Sequence, residues 1–103
     1  GFFFGGVMIS REDFMFTIGY DGETAVVDGK AKAEYGKLDT LSLARRGLFR
    51  SAFASALYSG SKEELAAFAE VYNAAAGTSY STAEEFQRLF GVKQEAIKKV
   101  MAL

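Results

Sequence analysis

The sequence predicts an α+β fold: a small N-terminal antiparallel sheet of two or three strands, followed by four or five helices packed on one of its faces. Three observations carry this expectation. An Asp21-Gly22 step separates two β-prone runs. Two Ser/Thr-to-Glu capping motifs, beginning at Ser61 and Ser81, open runs of helical periodicity. Proline is absent, so glycines and caps mark the boundaries.

Val7, Met8 and Ile9 form a short apolar run that turns back at residues 10–13 and supplies a third strand, or else remains a loose N-terminal arm. Residues 14–20 alternate, which places Phe14, Phe16 and Ile18 on one face, with Phe14 and Phe16 as support for the sheet core. Residues 23–27 follow as the second arm of a hairpin. Asp-Gly is a favoured central pair of a type I′ turn, because both positions need positive φ. A hairpin alone is marginal in water, so the sheet must be covered.

The helical region opens with a short helix over residues 30–37, ending near Gly36. Asp39 or Thr40 caps the next helix, which runs through Arg46. Gly47 either ends it or lies inside a longer helix that reaches Tyr58. Ser51, Ala52, Ala54, Ser55 and Ala56 suit a helix pressed closely on a neighbour. Ser61 and Glu64 form the first capping box, and Leu65, Phe68, Ala69, Tyr72 and Ala76 share one helical face before Gly77. Ser81 and Glu84 form the second, ahead of Phe86, Leu89, Phe90 and Gly91. Residues 94–101 read as a last helix with Ala96, Ile97, Val100 and Met101 apolar.

At 103 residues the chain has the size of a single domain, with residues 1–29 as the hairpin region and residues 30–103 as the helical region. Ten phenylalanines and five tyrosines supply its core; each fully buried one contributes roughly 1.5–3 kcal/mol. An opening at Gly1 rather than Met is what a tag remnant, or a domain cut from a longer protein, leaves behind. No apolar run approaches the roughly 18–20 residues that span a bilayer. With no cysteine there is no disulfide framework, which tilts the expectation toward a cytoplasmic home.

The chain contains neither histidine nor cysteine. That removes Cys-His and Ser-His-Asp catalysis, thiol chemistry and the usual zinc ligands. Carboxylate, lysine, tyrosine or serine chemistry remains, or work done by contact alone. Asp21, Glu23 and Asp28 could hold a hard cation or act as an acid/base pair, but they lack the ligand spacing of an EF-hand loop. The glycines of residues 1–6 and 19–22 match no phosphate-cradling loop. No metal, cofactor or catalytic residue is expected. The carboxylates of residues 11–28 contrast with a basic stretch holding Lys30, Lys32, Lys37, Arg45, Arg46 and Arg50. Either these are solvated faces or they meet complementary partners.

Residues 83–101 resemble a bacterial helix-turn-helix. Phe86 and Phe90 stand at the apolar positions of its first helix, Gly91 at the turn, Val92 just after it, and Ile97 and Val100 at the apolar positions of its second. The resemblance implies that Lys93, Gln94, Lys98 and Lys99 face DNA, helped by Arg45, Arg46 and Arg50. Gln87 departs from it, since the family prefers alanine where the helices cross. The net charge of −1 also lacks the basic excess of a general nucleic-acid binder.

Phe2, Phe3 and Phe4 cannot all point inward from a strand covered on one side. They are the candidate interface residues of a non-catalytic interaction module that binds a protein partner or a second copy of itself. A nucleic-acid-binding regulator and a small carboxylate enzyme or enzyme subunit are the two alternatives.

Overall fold

The structure is a computed structural model; it describes residues 2–4, 7–94 and 97–103, with side chains from Ile9 onward. The fold is α+β. The chain divides into two compact units, residues 1–37 with 94–103, and residues 38–93.

The first unit holds all the described strands. β1 (Phe2–Phe4) and β2 (Val7–Ile9) pair antiparallel as a sheet of their own. β3 (Thr17–Asp21) and β4 (Thr24–Val27) form the expected hairpin. Its central turn residues are Gly22 and Glu23, one position beyond the expected pair, because Asp21 faces Thr24 in the ladder. Gly22 has φ 60° and Glu23 does not enter the positive-φ region, the pattern of a type II′ turn with glycine first. The third strand of this sheet is not residues 7–9. It is β5 (Lys99–Ala102), which adds parallel to β4 to give the order β3-β4-β5.

Residues 10–16 also differ from expectation. Ser10 accepts the Asp13 N–H at 3.1 Å and caps a short helix, α1 (Arg11–Met15), where a turn and the start of a strand were expected. Phe14 and Phe16 are buried as predicted, but Phe14 is helical and Phe16 is the helix C-cap. Ile18 does not join them. It is 56% exposed, whereas Thr17 is 4% exposed. The cause is a register shift between Thr17 and Gly19. Thr17 and Tyr20 pair with the buried Val27 and Ala25, so the extra residue, Ile18, is turned outward.

Asp28 caps α2 (Gly29–Tyr35) by accepting the Ala31 N–H at 3.1 Å, and Gly36 ends the helix as expected. Lys32 bonds Asp13 at 2.7 Å and Arg11 donates to the Gly36 carbonyl at 3.1 Å, tying α1 to α2.

The second unit is four helices: α3 (Thr40–Arg45), α4 (Phe49–Ser59), α5 (Lys62–Ala76) and α6 (Ala83–Phe90). Asp39 caps α3, and Gly47, at φ 79°, breaks the chain before α4. The small residues of α4 are buried from Ala52 to Ala56, with Phe53 among them. Phe53, Phe68 and Phe86 make the centre of the core, with ring centroids 5.1–5.9 Å apart. Each comes from a different helix, which is why the three pack as one unit.

Ser61 caps α5 as expected, accepting the Glu64 N–H at 3.2 Å. The reciprocal half of that box is replaced, because the Glu64 carboxylate takes the hydroxyl of buried Thr40. Thr40 also bonds Ser55 at 2.8 Å, so one polar link joins α3, α4 and α5. On α6 the box lies one residue later than expected. Thr82 is the cap, and Glu85 accepts the Ser81 and Thr82 amides, both at 3.1 Å.

Two outcomes follow from this packing. Ile18→Ser is expected to cost less than about 0.5 kcal/mol in urea unfolding, and Phe16→Ala about 3–5 kcal/mol; equal losses would restore the uninterrupted strand. The Ser81 N–H, followed by the Thr82 N–H and hydroxyl, holds the Glu85 carboxyl below its ordinary 4.5. Its stabilising contribution is therefore complete above the unfolded value and fades as pH falls through the folded one. Glu85→Gln is expected to lower the melting temperature at neutral pH, with the difference from wild type closing in strong acid. An equal difference at both pH values would contradict this.

Candidate interaction edge

β5 occupies one edge of the three-stranded sheet, and no described strand pairs with its outer side. Its path is set at both ends. Lys98 N–H donates to the Glu23 carbonyl at 2.6 Å, with Lys99 N–H on the same oxygen at 3.4 Å, and Leu103 N–H donates to the Val27 carbonyl at 2.9 Å. The Lys98 ammonium bonds the Glu23 carboxylate at 3.2 Å. In a parallel ladder backbone groups alternate in direction. The amides of Lys99, Met101 and Leu103 therefore point to β4, and those of Val100 and Ala102 point away from it.

All four residues of β5 are exposed. Val100 and Ala102 share rows with the buried Ala25 and Val27, whereas Lys99 and Met101 share rows with Thr24 and Val26 on the other face. Val100 is 37% exposed, Met101 46% and the adjoining Leu103 71%. These three stand with Ile18 and Leu89 as the large apolar side chains that the described surface leaves open. Sequence reasoning assigned Val100 and Met101 to apolar positions of a last helix and missed this edge. The signal that could have found it was the need of a lone hairpin for another strand.

Among the described residues the second helix of the helix-turn-helix does not form. α6, Gly91 and buried Val92 match the first helix and turn, but residues 99–102 are strand. These residues instead complete a backbone ladder with β4, in register from Thr24 with Lys99 to Val27 with Ala102. The residues assigned to DNA are also divided. Arg45, Arg46, Arg50 and Lys93 belong to the helical unit, and Gln94, Lys98 and Lys99 to the sheet unit. Arg45, Arg46, Lys93, Gln94, Lys98 and Lys99 are exposed, whereas Arg50 donates to the Phe90 carbonyl at 3.2 Å and closes the end of α6.

The three carboxylates do not converge on a reaction site. Asp28 is spent on the α2 cap, Glu23 pairs with Lys98, and Asp21 is exposed at the hairpin end. A cavity of about 390 Å³ lies in the same unit, lined by Glu12, Lys32, Ala33, Lys37 and Ala102 among others; none of the three carboxylates reaches it. Among the described residues no group of three or more Asp or Glu could hold a metal ion, and no helix is long and apolar enough to cross a membrane.

Phe2, Phe3 and Phe4 form β1, in register with Ile9, Met8 and Val7. Their side chains lie outside the described residues. Comparison with protein families, with curated proteins and with solved structures finds no match for the chain.

Proposed function

We propose that this chain is a non-catalytic interaction module that works by surface contact and associates with itself. The observation that carries the reading is the β5 edge, where Val100, Met101 and Leu103 are exposed beside backbone groups that no described strand pairs. An unpaired edge strand is a template for another strand, and natural sheets blunt such edges unless they use them. The aromatic strand β1 is the second surface of this reading, on the strength of its three consecutive phenylalanines. Two of the carboxylates near the hairpin, Asp28 and Glu23, are engaged in a cap and an ion pair, which favours contact over turnover.

The test is the mass in solution by light scattering, at low and high salt, with and without random duplex DNA. A mass above that of the monomer, unchanged by the duplex, is expected. Monomer throughout would remove the reading. Binding to the duplex that weakens steeply with salt would favour the nucleic-acid alternative instead. In the same assay, replacing Phe2, Phe3 and Phe4 by serine apportions the contact. A fall to monomer assigns it to β1, and a retained mass assigns it elsewhere.

A further inference from the structure

We propose that the outer edge of β5 is the docking site for the β5 strand of a second copy, added antiparallel about a twofold axis at Met101. The inference rests on the self-association reading above and makes it specific. It starts from the two edges of the sheet, which are not equivalent. β3 is broken in register between Thr17 and Gly19, whereas β5 pairs with β4 without interruption over its whole length. A bulge twists an edge away from incoming strands. β5 carries no bulge and no proline, and its one charge is Lys99.

The register follows from which amides are free to pair. Within β5 and its continuation Lys99 gives its amide to Glu23 and Leu103 gives its amide to Val27, so by alternation Val100 and Ala102 are the residues whose backbone groups face outward. An antiparallel mate uses both of them when Val100 faces Ala102 of the second copy and Ala102 faces its Val100. Met101 then lies opposite Met101 of the mate in a non-hydrogen-bonded pair, where Cα atoms come within about 4.5 Å. Lys99 lies opposite Leu103. No register that sets Lys99 against Lys99 uses both outward amides, so repulsion and hydrogen bonding select the same arrangement.

This pairing also accounts for the exposed side chains. Met101 and Leu103 fall on one face of the strand; there Met101 meets its symmetry mate and Leu103 meets the aliphatic stem of the mate's Lys99. Val100 packs on Ala102 across the other face. A twofold contact is closed and stops at the dimer. Addition of β5 to β3 of the next copy would be open-ended. It is favoured by charge, since Asp21 and Lys99 lie in one row across Thr24, but it meets the break at Ile18. A contact built on one short strand pair is smaller than roughly 1,200 Å², the range of reversible complexes.

The absence of cysteine gives a clean test. Met101→Cys, held in a glutathione disulfide buffer, is expected to become a covalent dimer, because the paired Cα spacing suits a disulfide. Val100→Cys, facing Ala102, is expected to remain largely uncrosslinked. Ala102→Pro removes an outward amide and leaves the ladder to β4 intact, so a folded monomer is expected at concentrations where the wild type is dimeric. If Ala102→Pro does not fold, the cysteine pair decides. Equal crosslinking of the two cysteine variants, or a folded Ala102→Pro dimer, would overturn the β5 register while the self-association reading stands. Mass that grows beyond the dimer would point to β5-to-β3 stacking and also overturn it. A monomeric wild type from about 10 µM to about 1 mM would remove both.

Discussion

The parallel pairing of β5 on β4 is the constraint on which the sheet unit depends. β4 is the central strand, flanked by β3 from the adjacent hairpin and β5 from the far end of the sequence. A two-stranded ribbon exposes too much backbone and buries too little apolar surface to persist alone. β5 supplies the third strand, and Ala25, Val27 and Ile97 are fully buried in the unit that results. Closing so long a loop costs chain entropy that grows only logarithmically with its length. The contact is therefore feasible despite the whole helical unit lying between its two strands in sequence.

The helical unit is organised by a different interaction. Phe53, Phe68 and Phe86 lock α4, α5 and α6 together, and the Thr40 hydroxyl joins Ser55 to the Glu64 carboxylate among them. The apolar contact is large and non-directional, whereas the polar link is small and specific. Together they set which helices meet and in which register. The link also explains why Glu64 does not complete a local capping box: a buried hydroxyl needs its partner more than an exposed amide does.

What the sequence shows and what it hides follow the range of the interactions concerned. α5 with its Ser61 cap, α6 with its capping box displaced by one residue, and the stops at Gly77 and Gly91 were legible because a helix end is decided by residues within one turn. The hairpin was legible for the same reason, with its turn displaced by one residue. Phe14 and Phe16 were correctly placed in the core. Their shared face with Ile18 was not, because one extra residue between Thr17 and Gly19 reverses the alternation without leaving a trace in composition. Residues 99–102 were hidden for a stronger reason. Lys-Val-Met-Ala suits a helix or a strand equally well, and the choice is made by β4, which is remote in sequence. The interaction edge lies on that element, so the candidate site was less legible than the fold around it.

The most direct test of the account is amide hydrogen exchange across residues 97–103, read by NMR in dilute protein. Parallel pairing with β4 predicts alternation: Met101 and Leu103 protected, Val100 and Ala102 exchanging rapidly. Uniform protection with the short-range contacts of a helical turn, or no protection at any of the four, would contradict it.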